Sequence, residues 1–273
     1  MPNLVPEFAL DALKPPSAPL LPVDVGRAMV EASAFPATRP FLSLAPDGDG
    51  HPVLVCPPFL ASDVSTSFLR QYLRTKNYYV YRWKLGRNLG PQILGPDQVK
   101  LRDRIVEIYE KTHRRVSLIG WSLGGVLARE LAKQHPDMVR QVITLGSPIG
   151  GKMSGVSSNL RKFFSYVSGT PDDGEALSDI VAQLHVPPEG VPSTAIFSRT
   201  DGVVSWRNCI EYPADFTDNI EIYGSHCGLG LNPSAYFAIA DRLALPEEEW
   251  SPFDRTATLW RRTVFPSSGH RYK

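Results

Sequence analysis

The sequence predicts an α/β fold whose sheet is mainly parallel and doubly wound. Residues 52–56 form a continuous apolar run bounded by turn residues, which is typical of a strand buried on both faces of a parallel sheet. Further strand patterns alternate with segments in which apolar residues recur at helical spacing. Alternating strand and helix units of this kind build a parallel sheet with helices on both faces.

The individual elements follow from local patterns taken in chain order. Strands are predicted at residues 52–56, 78–83, 116–119, 139–145, 193–198 and 219–223, where apolar and β-branched residues cluster. Helices are predicted at residues 23–33, 63–74, 96–112, 123–134 and 233–245, where apolar residues recur at helical spacing. His135 and Pro136 end the fourth helix, and Asn232 followed by Pro233 is typical of the start of the fifth.

The patterns also predict how the chain is divided. Residues 46–148 and 193–246 form the α/β core. Residues 1–45 form an irregular and helical N-terminal extension, because prolines are frequent up to residue 22 and a helical pattern follows. Apolar residues of that pattern recur at Val25, Met29 and Val30, which predicts a short helix packed on the core.

Composition restricts the classes of function. Lys and Arg number 29 against 28 Asp and Glu, so the net charge of +1 argues against a broad basic surface for nucleic acid. No apolar run is long enough to span a bilayer, and the N-terminus lacks the basic-then-apolar order of a signal peptide, so we expect a cytoplasmic protein. The six histidines lack metal-ligand spacing, so the sequence implies no metal.

A serine flanked by glycines lies between the third strand and the fourth helix. Residues Gly120, Ser122 and Gly124 form a G-x-S-x-G pattern, the nucleophile elbow, in which a sharp turn lifts the serine hydroxyl clear of the sheet. The glycines remove Cβ atoms where strand and helix nearly touch, and the helix amides point to where an oxyanion forms. We therefore predict Ser122 as a nucleophile. The alternative is a glycine-rich turn with a structural serine.

A serine nucleophile needs a histidine base oriented by a carboxylate. His226 follows the last strand in a glycine-flanked loop, and Asp201 follows the preceding strand in an Asp-Gly turn. Active groups gather at the carboxyl ends of strands in such sheets, so we predict His226 as the base and Asp201 as the acid. Asp215 and Asp218 are the alternative acids. Each residue also has a structural alternative, a packed loop histidine or a plain turn.

An oxyanion hole requires two backbone N–H groups near the serine. One belongs to Leu123, directly after the nucleophile, and the other comes from the loop after the first central strand. Pro57 and Pro58 have no N–H, so the second donor is Phe59 or Leu60, and we predict Phe59.

These motifs resemble those of bacterial α/β-hydrolases of the esterase/lipase type. The resemblance covers residues 52–245 and is carried by VLVCPPFLAS, GRNLGP, GWSLGG, SRTDGVV and GSHCGLG. It implies a Ser122–His226–Asp201 triad that hydrolyses carboxylic esters without a cofactor. One departure concerns Pro57 and Pro58, where many lipases have His-Gly, so the hole is expected to differ in shape. The superfamily also contains thioesterases and acyltransferases, which use the same triad, and a non-catalytic binding protein is a further alternative.

Two segments outside the core bear on the substrate, which we expect to be a small-molecule ester or a lipid-like ester. Residues 149–192 interrupt the strand–helix alternation with two helical patterns and are predicted to form a cap over the site. Residues 247–273 are predicted to pack on the core, because they carry the large apolar aromatic residues Trp250, Phe253, Trp260 and Phe265.

Four residues are predicted to line the acyl pocket. They are the loop residue Leu60, the elbow residue Trp121 and the cap residues Phe163 and Phe164. Trp121 is equally compatible with filling the core.

Two cysteines follow the strands that deliver the acid and the base. A bridge between Cys209 and Cys227 would connect those two loops, whereas a cytoplasmic location favours free thiols.

Overall fold

The computed structural model describes residues 20–95, 98–150 and 184–270 of the chain. Within these ranges, strands form one sheet in the order β2-β1-β3-β4-β5-β6, and every neighbouring pair is parallel. The strands are β1 (Pro52–Cys56), β2 (Tyr79–Arg82), β3 (Val116–Trp121), β4 (Val139–Leu145), β5 (Ser193–Phe197) and β6 (Thr217–Glu221). The predicted fold class, an α/β fold on a parallel sheet, is confirmed.

Helices connect or follow most of the strands. They are α1 (Leu20–Ala34), α2 (Arg39–Ser43), α3 (Ser67–Thr75), α4 (Val99–Thr112), α5 (Leu123–Gln134), α6 (Pro233–Leu243) and α7 (Leu259–Val264). The side chain of Asn232 accepts hydrogen bonds from the amides of Ser234 and Ala235, so it caps α6 as its sequence position predicts.

Side chains of β1 alternate between two hydrophobic cores, one on each face of the sheet. Val53 and Val55 pack with α3 and α6, whereas Leu54 and Cys56 pack with α4 and α5. Every residue of β1 is buried, which agrees with the continuous apolar run. The sheet is therefore covered by helices on both faces, as a doubly wound fold requires.

Three predicted boundaries shift for identifiable reasons. Helix α3 begins at Ser67 instead of residue 63, because the Asp63 carboxylate accepts hydrogen bonds from the amides of Trp83 and Lys84 in the loop after β2. Helix α4 begins at Val99, after Gln98, whose φ of 55° is left-handed. Strand β6 spans Thr217–Glu221 instead of 219–223, so its first three residues are polar and buried.

The polar start of β6 is satisfied by the C-terminal tail. The Asp218 carboxylate accepts hydrogen bonds from the amides of Asn219, Phe253 and Gly269, and Ile220 makes an antiparallel bridge with Ser268. The side chains of Phe253 and Phe265 are buried beside α6. The polar residues of β6 are thus hydrogen-bonded by the tail, which follows β6 in the chain.

Part of the predicted cap lies outside the described residues. Residues 151–183 belong to that part, including Phe163 and Phe164, so the cap and its pocket residues stay predictions. In the described ranges, no helix has both the length and the apolar character needed to cross a membrane.

Candidate active site

Ser122 lies at the sharp turn between β3 and α5. Its φ is 53° and its ψ is −123°, a strained conformation for a residue with a side chain. The Ser122 amide donates to the carbonyl of Leu145 at 2.8 Å, which fixes the turn to the end of β4. The turn leaves Ser122 partly exposed, directly before the first residue of α5.

The glycines of the elbow are required by close backbone approach. A Cβ at Gly120 would lie 2.2 Å from Gly125 Cα, and a Cβ at Gly124 would lie 2.5 Å from the carbonyl oxygens of Cys56 and Pro57. These neighbours are backbone atoms that no side-chain rotation can move. Helix α5 can therefore approach β1 and β3 only where side chains are absent.

The predicted acid and base meet the serine at the carboxyl ends of β5 and β6. His226 Nδ1 lies 2.6 Å from Asp201 Oδ2, and His226 Nε2 lies 3.1 Å from Ser122 Oγ. The other Asp201 oxygen accepts from the amides of Val203 and Val204 at 2.8 and 2.7 Å, which fixes the carboxylate. We call Ser122, His226 and Asp201 the candidate triad.

The alternative acids lie elsewhere. Asp215 is exposed in the connection between β5 and β6. Asp218 is buried, and both of its oxygens accept backbone amides of β6 and the tail. Neither carboxylate is among the hydrogen-bond partners of His226.

The environment of His226 favours its protonated form. Burial by itself lowers the pKa of His226, but the charge of Asp201, the hydrogen bond that His226 donates to Asp201 and the charge of Asp24 outweigh burial and raise the pKa above its ordinary value. Gly146, with φ 54°, allows close packing here, because a Cβ would lie 3.1 Å from His226 Nδ1. The site can thus accept a proton from the serine and stabilise the resulting imidazolium.

The loop after β1 is fixed by the buried side chain of Asn88. The Asn88 side chain donates from Nδ2 to the Pro57 carbonyl at 2.8 Å. The backbone N–H of Asn88 donates to the Ala61 carbonyl, and the backbone carbonyl of Asn88 accepts from the Leu60 N–H at 2.7 Å. The Leu60 amide therefore already has an acceptor. The Leu123 amide begins α5, where the first N–H groups have no acceptor within the helix.

Helix α1 contacts both loops that carry the acid and the base, a contact that sequence reasoning missed. We call residues 198–204 the acid loop and residues 222–228 the histidine loop. The Asp24 carboxylate accepts amides from both loops, Arg27 donates to the carbonyl of Thr200, and Glu31 accepts from the amide and hydroxyl of Ser225.

The face of α1 that packs on the core is the opposite of the predicted one. Val25 is exposed, and Met29 and Val30 are each 69% exposed, whereas Asp24 is 1% exposed. Asp24, Arg27 and Glu31 recur at spacings of three and four, so a polar helical stripe was the available signal. The spacing of apolar residues did not predict the inward face of α1, because this face packs on backbone amides and carbonyls of the two loops.

Two predicted pocket residues lie within the described ranges. The indole N–H of Trp121 donates to the carbonyl of His226 at 3.2 Å, and its ring packs against Gly230. Leu60 is exposed and has a φ of 63°. Their roles toward an acyl group stay predictions.

The cysteines are free thiols. Cys209 is buried and directs its Sγ to the carbonyl of Ser205 at 3.5 Å, so it is not bridged to Cys227. Burial and the charge of Asp24 raise the pKa of Cys227 to about 12. Within the described ranges, no group of three or more His, Cys, Asp or Glu side chains could hold a metal ion.

Comparison with known sequences gives matches to short parts of the chain. Residues 98–185 match the family described as PGAP1-like alpha/beta domain. The biotin biosynthesis bifunctional protein BioHC of Teredinibacter turnerae is 38% identical over an alignment of 71 residues, with a coverage of 22% of this chain and 12% of that protein. The match therefore spans a small part of the length of that curated relative.

Comparison with solved structures extends the likeness to most of the chain. Lipase B of Aspergillus fumigatus superposes with a TM-score of 0.56 at 17% identity, covering 79% of this chain and 56% of that one. A structure from the metagenome-derived lipolytic enzymes LipS and LipT gives a TM-score of 0.52 at 16% identity, covering 72% of this chain and 93% of that one. At this identity the likeness is one of fold. With the parallel sheet and the elbow, it shows that the chain has the α/β-hydrolase fold.

Proposed function

We propose that this protein is a serine hydrolase that cleaves carboxylic esters through an acyl-enzyme intermediate. The observation that carries the proposal is the hydrogen-bonded series from Ser122 Oγ through His226 to Asp201, beside the amino end of α5. The expectation from the sequence motifs and the lipolytic nature of the fold neighbours LipS and LipT support the same reaction class.

In the proposed reaction His226 moves one proton in each direction. Ser122 Oγ bonds to the ester carbonyl carbon while its proton passes to His226 Nε2, and the carbonyl electrons move to the oxygen. When the tetrahedral intermediate collapses, the bond to the alcohol oxygen breaks and His226 returns the proton to that oxygen. Water then repeats the sequence on the acyl-enzyme. Asp201 keeps the other imidazole proton on Nδ1 and stabilises the cation.

We assign the oxyanion hole to the amides of Leu123 and Phe59. Leu123 begins α5, so its N–H has no acceptor within the helix and lies at the positive end of the helix dipole. In the loop after β1, Pro57 and Pro58 have no N–H, and the Leu60 amide donates to Asn88. The position of Phe59, in the loop that follows β1, supports its N–H as the second donor.

We propose that the cap, residues 149–192, sets the acyl preference through Phe163 and Phe164. Replacing each by alanine is expected to shift the ranking of short against medium acyl esters without abolishing hydrolysis. A series of p-nitrophenyl esters of increasing acyl length measures that ranking. An unchanged ranking in both variants would contradict the role of the cap.

Covalent labelling tests the reaction class. A fluorophosphonate probe is expected to form one adduct, located on Ser122 by mass spectrometry, and the Ser122→Ala variant is expected to form none. Turnover of esters is then compared with turnover of thioesters and with transfer to added alcohols. Preferential transfer to the alcohol would make the protein an acyltransferase, and preferential thioester cleavage a thioesterase. Absence of both labelling and turnover in the folded wild-type protein would leave a non-catalytic binding protein.

A further inference from the structure

A carboxylate on α1 connects the acid loop to the histidine loop. Asp24 Oδ1 accepts from the Gly202 amide at 2.9 Å and from the His226 amide at 2.8 Å, and Oδ2 accepts from the Cys227 amide at 2.8 Å. Its side chain is buried. Asp24 Oδ1 is therefore hydrogen-bonded both to the residue after the candidate acid and to the candidate base itself.

These three bonds are of the strong, charge-assisted kind. Burial by itself raises the pKa of Asp24, but the amides of Cys227, His226 and Gly202 outweigh burial and lower the pKa below its ordinary value. Asp24 is thus ionised at neutral pH and places a fixed negative charge beside His226. The proposed reaction needs such a charge when the imidazole becomes a cation.

We propose that Asp24 is a positioning residue of the active site, which fixes the distance between Asp201 and His226 and stabilises the protonated imidazole through its charge. The inference rests on the proposed function, because it assigns to Asp24 a part in proton transfer by His226. Residues of the N-terminal extension thereby become part of the catalytic apparatus, although they precede the α/β core in the chain.

Other charged groups near His226 define what the test must separate. Asp201 faces the ring from the acid loop, and Asp24 faces the backbone from α1. On α1, Glu31 contacts the histidine loop at Ser225 and Arg27 contacts the acid loop at Thr200. Arg27 Nη2 lies 3.8 Å from Glu31 Oε1. The charges of Glu31 and Arg27 have opposite signs, so the unbalanced charge on this helix face is that of Asp24.

The chain offers a matched control for the loss of a buried carboxylate. Asp218 has the same pattern as Asp24, with Oδ1 accepting two backbone amides and Oδ2 accepting one, but it connects β6 to the tail. Asp218→Asn and Asp24→Asn therefore make the same chemical change. A purely structural role predicts the same consequences for both variants.

The experiment combines histidine titration by NMR with the pH profile of ester hydrolysis. Wild type, Asp24→Asn and Asp218→Asn are titrated, and the His226 signal among the six histidines is assigned by its loss in His226→Gln. In Asp24→Asn we expect the pKa of His226 to fall by about one unit, because the imidazolium loses a nearby negative charge. The acid limb of kcat/KM should move to lower pH by the same amount, and the plateau should fall about 10-fold.

A second variant separates charge from position. Asp24→Glu keeps the charge but lengthens the side chain, so the pKa of His226 should stay near the wild-type value while kcat falls. Asp218→Asn should lower the unfolding free energy and leave the His226 titration unchanged. A folded Asp24→Asn protein with a wild-type His226 titration overturns the proposal, as does an equal shift in Asp218→Asn. If Asp24→Asn does not fold, wild-type kcat in Asp24→Glu overturns it instead.

The outcome is distinguishable from failure of the proposed function. A wild-type protein that neither hydrolyses esters nor reacts with the fluorophosphonate contradicts the serine-hydrolase assignment. The effect of Asp24 on the His226 titration is measured in the same samples without any turnover, so it is decided separately.

Discussion

A second Asp–His–Ser cluster lies at the other end of β3 from the candidate triad. His51 Nδ1 lies 2.5 Å from Asp49 Oδ1, and His51 Nε2 lies 2.8 Å from Ser117 Oγ. We call these three residues the buried cluster, because the side chains of His51 and Ser117 have no contact with solvent. By distance alone, the two clusters would be equally good catalytic arrangements.

Their electrostatic environments differ in sign. In the buried cluster, burial and the charges of Arg140 and Arg114 outweigh the effect of Asp49 and lower the pKa of His51 to about 4. In the candidate triad, neighbouring carboxylates raise the pKa of His226 above its ordinary value. His51 therefore resists the proton that a general base must accept, whereas His226 favours it.

Their backbone settings differ as well. Ser117 lies within β3, where it pairs with Val53 of β1 and, directly after a register shift, with Gln141 of β4, and its hydroxyl faces His51. Ser122 lies one residue beyond the strand, at a left-handed turn before α5. Exposure of the serine, a neighbouring helix amino end and the charge around the histidine therefore distinguish the candidate triad from the buried cluster, whereas the hydrogen-bond distances do not.

The two serines should give the largest difference. Ser122→Ala removes the proposed nucleophile, and kcat/KM for an activated ester is expected to fall on the order of 10⁶-fold, because triad members act as a unit. Ser117→Ala leaves His51 Nε2 without its buried partner and is expected to cost about 1–3 kcal/mol of unfolding free energy at unchanged kcat/KM. Ester kinetics and urea unfolding of both variants measure this. A comparable loss of activity in Ser117→Ala would contradict the distinction.

The two aspartates should give the next largest difference. Asp201→Asn is expected to keep the fold and lower kcat about 10⁴-fold, since the amide favours the wrong imidazole tautomer. Asp49→Asn weakens the contacts to His51, Arg114 and Arg140, so it should lower the urea midpoint and leave kcat unchanged. If Asp49→Asn lowered kcat as strongly as Asp201→Asn, the separation between the clusters would be lost.

The two histidines should give opposite pH dependences of stability. The pKa of His51 falls from 6.5 to about 4 on folding, so its stability contribution is complete above pH 6.5 and is lost on acidification towards pH 4, about 3 kcal/mol in all. The raised pKa of His226 gives a contribution that is complete below pH 6.5 and is lost as the pH rises through its folded value.

Urea unfolding of His51→Gln and His226→Gln tests both signs. The His51 variant should lose less stability than wild type between pH 6.5 and pH 4. The His226 variant should lose less than wild type on the alkaline side of pH 6.5. Parallel pH curves for wild type and His51→Gln would contradict the electrostatic account of the buried cluster.

The smallest effect is expected at the edge of the buried cluster. Arg114 forms an ion pair with Asp49 at 2.6 Å, but both side chains are exposed. Arg114→Gln should therefore change the unfolding free energy by less than about 1 kcal/mol. Arg140 is buried and pairs with the same carboxylate, so Arg140→Gln is the matched comparison and should cost more. Thermal unfolding of both variants ranks them.

Sequence patterns predict the parts of this molecule that local geometry controls. The elbow needs glycines where backbones nearly touch, and the cap of α6 needs a side chain such as Asn232, so both are visible in a few residues. The sequence also selected the three residues that the structure brings together. It did so from their positions after strands β3, β5 and β6, because parallel strands end at one edge of the sheet.

The missed features depend on partners that are distant in the chain. The polar start of β6 is stable because tail amides satisfy Asp218, and the polar face of α1 packs inward because loop amides satisfy Asp24. Hydrophobic periodicity contains no information about such partners. The same limit applies to the buried cluster, whose serine lies 66 residues from its histidine.

The contacts of α1 have a consequence for the order in which the chain acquires its structure. Asp24 is separated from its partners Gly202, His226 and Cys227 by 178, 202 and 203 residues. At a synthesis rate of about 5–20 residues per second, Asp24 leaves the ribosome roughly 10–40 s before the amides that it binds. Helix α1 therefore cannot complete these contacts before β5, β6 and the loops that follow them have been synthesised. The hydrogen bonds that join α1 to the acid loop and the histidine loop can therefore form only after the chain has been synthesised to Cys227.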